Sequence, residues 1–550
     1  MNLDGFALPV KKLKGTDPVE MLDLSGKNLG VASAVVIASL ISVNGTLTSV
    51  KLRLNKLGEE GWGAIFAAIC GNKDSKIMSI DAYFENIGPA GVELIAAALR
   101  TSVTGALTRV DVRLNNIVGD GAVQLSAAVL GNLKIEMFNE IPIKEMRADS
   151  LTELDLKEKH FGVEGGMVVA GLIPVMGALT VANLLGNQLD AESAKMLAEV
   201  AKQKGVSLCG IQRDQTTADL SGLALQPPDA ILLASDLSQA VVTGGLTSLD
   251  LSNNLLCGVT TFGGGTYTAE GITAIAEALR VNDGLTKISL ANNELGEEGT
   301  KAICEALEQN KMLKELDISN IGGTAGVKHV AKMLGVNGGL TSINLSDNQL
   351  CGVWTDYAGQ HGAYTAEGIT AIADALRVNG GLTALDVSNN CLEDEGVSAV
   401  CEAIQSNKET KLASLNFRNN DIGPVGANAV AAMVAVTGAL TSLNLSSNNL
   451  CSVTETGYIK ASQVQGSSFN EGDKVVYQGK EMIVSKSIDR DGDIKMTHLP
   501  LMSGLNALAN ALRVNGALTM CDLRDNYVGE EGKALICNAA EGKAGFKLHL

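Results

Sequence analysis

The sequence predicts an α/β solenoid, with short parallel strands stacked on one face and amphipathic helices on the other. Three observations carry that expectation. The stretch 246–256 reads LTSLDLSNNLL and fits the template LxxLxLxxNxL through Leu246, Leu249, Leu251, Asn254 and Leu256. In an extended chain Leu249 and Leu251 face one side, Asp250 and Ser252 the other. The segment that follows, TAEGITAIAEALRVN, sets Ile272, Ile275, Ala276 and Leu279 at i, i+3, i+4 and i+7, one stripe of a helix. The same pair of elements then recurs along the chain. Units open at Val19, Leu47, Ile77, Leu107, Ile135, Leu151, Leu179, Val206, Thr217, Leu246, Leu285, Leu313, Leu340, Leu382, Leu412, Leu440 and Leu518, with a fragment from Phe546. Twelve of the seventeen intervals are 27 to 30 residues long. One strand and one helix cannot bury their apolar faces alone, so such units must stack on each other.

Taken in order, residues 1–18 are expected to cap the open edge of the first unit. Four regular units run to about Gly131. The intervals opening at Ile135 and Val206 shrink to sixteen and eleven residues, which predicts strands with a tight return and no helix. The intervals after Leu246, Leu340 and Leu440 stretch to 39, 42 and 78 residues. YTAEGITAIAEALRVN and YTAEGITAIADALRVN differ only at Glu277 against Asp374, so these blocks are an internal duplication. The insertions 257–267, 351–364 and 451–499 leave after the last strand Leu and before the helix, and should project as a row from one edge. The third is long enough to fold. Its VVY and MIVS stretches alternate between turns at Gly479 and Asp491-Gly492, predicting two or three hairpin strands with a faint likeness to an SH3-like barrel. Asp489, Asp491 and Asp493 lack the glycine and closing glutamate of an EF-hand loop, so a solvated turn is the expectation.

Composition narrows the function. Net charge is −18 and aromatics are only 3%. An acidic chain without clustered Lys and Arg is a poor partner for nucleic acid or an anionic membrane. Residues 1–15 have no apolar core of a secretion signal, and the longest apolar run, around 31–43, is too short to span a bilayer. A cytoplasmic protein is therefore expected. The cysteines agree, since Cys70, Cys304, Cys401 and Cys537 share one inward helix position and no CxxC or Cys/His cluster exists.

The repeat resembles the leucine-rich repeat family, in the long ribonuclease-inhibitor-like type shared with Ran GTPase-activating proteins and the sensor regions of NOD-like receptors. The resemblance runs from about residue 16 to the end. It implies a horseshoe with a parallel sheet on the concave face and helices on the convex face, to which the third insertion adds a small β module. It fixes fold better than function. No catalytic constellation emerges beside it. The histidines lie in unrelated units, and GxxxxGK[ST], GxGxxG opening a helix, and HExxH are all missing. LGEEG at Leu57 and Leu295, VGEEG at Val528 and LEDEG at Leu392 place acids where helices begin, as the helix dipole favours. The recurrent Asn at 55, 115, 187, 254, 293, 348, 390, 420, 448 and 526 is read as a structural ladder between turns.

A non-enzymatic scaffold binding a protein or peptide, in a regulatory or signalling setting, is the function expected, with no cofactor, metal, nucleic acid or membrane. The alternatives are a GTPase-activating regulator or a NOD-like receptor sensor; no catalytic residue of the former transfers to a matching position. Two surfaces are candidates. The concave face, with Asp250, Asp317, Asp386, Arg418 and Arg524, reads as mainly acidic and suits a basic partner. The insertions hold eight of the chain's eighteen aromatics: Phe262, Tyr267, Trp354, Tyr357, Tyr364, Tyr458, Phe469 and Tyr477. Aromatics on loops held by a rigid scaffold are the makings of binding hot spots, and Trp354 and Tyr357 are the foremost candidates.

Overall fold

A computed structural model describes residues 2–550 except 104, 261–262, 324–325, 357–358, 452–455 and 499–501. The chain forms two compact units. The first is drawn from residues 1–247, 254–259 and 265–284, the second from 248–253, 260–264 and 285–550.

In the first unit a hairpin of Asn2–Leu3 and Phe6–Ala7 and the short helix Val10–Lys14 precede the repeats. Strands Met21–Asp23, Ser49–Lys51, Ser79–Asp81, Arg109–Asp111 and Met137–Phe138 then pair in parallel, each in register with the next. Glu153–Asp155 and Val181–Asn183 form a separate parallel pair. The second unit stacks parallel strands from Ser248–Asp250 through Ser342–Asn344, Ala384–Asp386 and Ser442–Asn444 to Lys547–His549. The strands before the terminal Lys547–His549 bury their middle residue, such as Leu249, Ile343 or Leu385. Helices such as Glu393–Ser406 close the repeat, burying Val397, Val400, Cys401 and Ile404. Truncating such a residue to Ala typically costs about 2–5 kcal/mol.

The recurrent Asn fixes the turn out of each strand. Asn390 donates through Nδ2 to the carbonyls of Leu345, Val387 and Ser388 at 2.9, 3.1 and 2.9 Å. Its Oδ1 accepts the N–H groups of Asn348 and Leu350, at 2.9 and 3.2 Å. The N–H of Asn390 in turn reaches Asn420 Oδ1 at 2.9 Å, and that of Asn420 reaches Asn448 Oδ1 at 2.9 Å. One carboxamide thus satisfies donors and acceptors of two successive repeats in the interior, where unpaired groups are expensive. In the third repeat Glu85 takes the Asn place. It accepts the Asn55 N–H at 2.8 Å and the Trp62 indole N–H at 3.3 Å, and burial pushes its carboxyl above the usual range.

Both shortened units coincide with breaks in the parallel sheet. The first corrects the expectation of no helix. Pro142 opens a single turn, Ile143–Arg147, and Arg147 turns its guanidinium onto the carbonyls of Val129, Leu130 and Ile135, including the end of the preceding helix. Beside it Asn139 Nδ2 donates to the buried Glu164 Oε1 at 2.9 Å, and desolvation raises the Glu164 carboxyl to about 8. In the second, Ser207–Cys209 makes isolated bridges instead of a strand. Buried Asp236 accepts the Ser207 hydroxyl at 2.8 Å and the N–H groups of Leu208 and Cys209 at 2.8 and 3.0 Å, and burial raises it to about 6. All ten cysteines are free thiols; Cys70, Cys304 and Cys401 are buried, whereas Cys537 is exposed, against expectation, because it falls in the last full helix.

Within 451–499, Ile459–Lys460, Lys474–Tyr477, Lys480–Lys486 and Asp493–His498 form an antiparallel sheet. It has its own core of Val475, Met482, Val484, Ile494 and Met496.

Two outcomes are expected. Asn390→Ala takes the partner from two buried N–H groups and the Leu345 carbonyl, and should lower the denaturant stability of the second unit by about 3 kcal/mol. Glu164 holds its proton in the folded state up to about pH 8, but releases it near pH 4.5 when unfolded. Between those values the folded state binds more protons, so stability falls as pH rises. Glu164→Gln should flatten that fall, read from thermal melts across the same window.

Candidate recognition surfaces

The first two insertions leave the repeats through narrow glycine necks. Strands Val353–Asp356 and Gly359–Gly362 pair as a hairpin. Gly362 holds φ 87°, and a Cβ there would run into the carbonyl oxygen of Gly352. Gly265 repeats the arrangement against Gly258 in the first insertion. The neck therefore demands glycine, and it presents Trp354 stacked on His361, with centroids 5.6 Å apart and Trp354 43% exposed.

Trp354 overlooks a cleft of about 570 Å³ lined by Asn320, Asp347, Gln349, Asn389, Cys391, Asn419 and Asp421. Its polar floor is a second, exposed ladder. Asn389 Nδ2 donates to Asp347 Oδ2 at 3.2 Å, and Asn419 Nδ2 to Asn389 Oδ1 at 2.9 Å. Asn292 and Asn320 continue the motif, bonding Asn253 and Asn292 at 3.1 and 2.6 Å. These residues hold φ of 47° to 60°, a left-handed turn that Asn and Asp tolerate. A cleft of about 900 Å³ lies between the inserted sheet (Ile483, Ser485, Thr497) and the repeats (Asp421, Ser447, Asp525, Tyr527).

The other sequence candidates divide. Phe469 and Tyr477 pack against the core of the inserted sheet. Tyr364 donates its hydroxyl to the Leu392 carbonyl at 2.8 Å, tying the insertion to the next repeat. Tyr458 is 55% exposed beneath the Lys495 ammonium, 5.0 Å from its ring, and Tyr267 is 38% exposed. Phe262 and Tyr357 lie outside the described residues. Asp250, Asp317 and Asp386 each accept the N–H two residues on, from Ser252, Ser319 and Ser388, at 2.9 to 3.0 Å. This Asx turn is their local role. Arg524 folds back on Asp522, its Nε 3.0 Å from Oδ1; Arg418 is exposed.

The acidic strand face belongs to the second unit, where Asp250, Glu315, Asp317, Asp386 and Asp522 outnumber Lys287, Arg418, Arg524 and Lys547 by one. In the first four repeats Lys51, Arg53, Arg109 and Arg113 outnumber Asp23, Asp81 and Asp111. There the left-handed position next to the buried ladder residue is filled by Leu54, Phe84 and Leu114, with φ of 60°, 57° and 57°. For bulky residues this conformation costs about 1–2 kcal/mol each. All three match the apolar composition of the repeats, and only φ and exposure separate them from the core.

Strand, buried Asn turn and helix repeated through each unit define a leucine-rich repeat architecture. A profile described as "Leucine Rich repeat" matches residues 382–401 and 408–431. The chain is 24% identical to the ribonuclease inhibitor of Mus musculus over 433 residues, covering 75% of this chain and 79% of that protein. It is 26% identical to NACHT, LRR and PYD domains-containing protein 12 of Mus musculus over 52% of this chain, spanning 23% of that larger protein. A solved leucine-rich repeat-containing protein from Legionella pneumophila aligns over 66% of this chain and 89% of its own, at 15% identity and a TM-score of 0.27. The chain has a leucine-rich repeat architecture and is similar in sequence to the ribonuclease-inhibitor-like type.

The chain has two tryptophans, and Trp62 is fully buried. Acrylamide should therefore quench one accessible component of the fluorescence, and Trp354→Phe should remove it while leaving the buried emission.

Proposed function

We propose that the chain is a non-enzymatic scaffold that holds a basic protein or peptide against its second unit, with Trp354 as the apolar anchor. The observation that carries this reading is the cleft in which Trp354 stands over a floor of Asp347, Asp421 and linked carboxamides. A desolvated aromatic supplies affinity, and acids around it favour cations on the partner. The acidic strand face beside it supports the same sign of charge. One relative is named a ribonuclease inhibitor, which makes ribonucleases the first partner class to assay. Ten free thiols support a reducing compartment such as the cytoplasm, and among the described residues no helix is long and apolar enough to cross a membrane.

Calorimetric titration of the full chain with a ribonuclease, and with a Lys- and Arg-rich peptide containing Leu, tests the proposal. Trp354→Ala should weaken binding about tenfold, equivalent to about 1.4 kcal/mol. Unchanged affinity in that variant would remove Trp354 from the site, and no binding to either probe would remove the basic partner.

A further inference from the structure

Three consecutive repeats of the first unit expose hydrocarbon at a position that the second unit fills with Asn, Asp or Ser. Leu54 and Phe84 are 55% and 60% exposed, and Leu114 is half-buried. The Phe84 N–H donates to the Arg113 carbonyl at 3.1 Å, so adjacent repeats stay paired at this level. Strands spaced about 4.8 Å apart then set the three side chains in a line about 10 Å long. Folding does not call for them. The equivalent Asn253, Asn292 and Asn389 adopt the same left-handed turn and also bond to one another. A bulky residue held in a conformation it disfavours, facing solvent, marks a site where something other than folding fixes the choice.

The charge beside the line is the second observation. Lys51 lies on the adjacent strand, and the exposed Arg53 and Lys56 flank Leu54, in a chain whose net charge is −18. Asp23, Asp81 and Asp111 face Lys51, Arg53 and Arg113 along this edge, and Lys56 adds a fourth cation.

We propose that Leu54, Phe84 and Leu114 form a docking strip for an extended segment of a partner protein that carries large apolar side chains flanked by Asp or Glu. The apolar anchors cover the strip, and Lys51, Arg53 and Lys56 select the acids. The strip lies in the first unit and its partner is acidic, so its failure would leave the basic-partner reading at Trp354 untouched.

Fluorescence anisotropy on the full chain tests it with a labelled synthetic peptide of Leu and Phe among Asp and Glu. Two control peptides replace the acids by Lys or the apolar residues by Ser. The wild type should bind the acidic, apolar peptide at least about tenfold more tightly than either control. Leu54→Asn, Phe84→Asn and Leu114→Asn together should weaken it by about tenfold or more while the melting temperature holds or rises, since Asn suits the turn. Arg53→Glu with Lys56→Glu should weaken the acidic peptide but not the Lys control. Equal binding of all three peptides, or full binding by the triple Asn variant, would overturn the proposal. So would wild-type self-association abolished by that variant, which would assign the strip to a second copy of this chain.

Discussion

Where a strand turns toward its helix, backbone N–H groups of one repeat and carbonyls of the next come to lie in the interior, out of reach of water. A buried carboxamide answers both, as Asn390 does for Asn348, Leu350, Leu345 and Val387. Because the bond set spans two repeats, the residue fixes the relation between neighbours as well as the local turn. A carboxamide carries two donor hydrogens beside a separate acceptor oxygen, which is why Asn recurs where Leu, or Ser with its single O–H, would leave polar atoms unpaired. Glu85 shows the limit: as an acceptor it serves Asn55 and Trp62, and its burial is met by a raised carboxyl pKa.

The irregular units follow the same rule with other means. Sixteen or eleven residues cannot supply a full strand and helix, so the freed backbone groups must find partners on neighbouring elements. Asn139, held by Glu164, and Arg147 provide them at the first site, Asp236 at the second. Buried carboxyls are a costly way to do it, and the cost shows as proton binding at Glu164 and Asp236.

Much of this was legible in the sequence. The template around Leu249 and Leu251 located the strands, the interval lengths located the insertions, and the Asn positions located the ladder. Distances between side chains were not legible. Period-two alternation in the third insertion identified its strands but could not say that Phe469 and Tyr477 would pack against its core. Asp250, Asp317 and Asp386 read as exposed charge, whereas each closes an Asx turn on its own repeat. Charge counted over the whole chain concealed the cationic edge of the first repeats. Leu54 and Phe84 matched the repeat composition so well that composition alone gave no reason to separate them from the core.

Once the buried Asn has settled the turn, the exposed residue next to it is free to vary, as Asn389 beside Asn390 in one unit and Leu54 beside Asn55 in the other. That division between a fixed interior residue and a variable neighbour is the centre of the account. Hydrogen exchange on wild type and Asn420→Ala probes it directly, because Asn420 Oδ1 accepts the N–H groups of Asn390 and Leu392, at 2.9 and 3.4 Å. In Asn420→Ala the amides of Asn390 and Leu392 should lose protection first, with distant repeats unchanged. Unaltered protection at those two amides would contradict it.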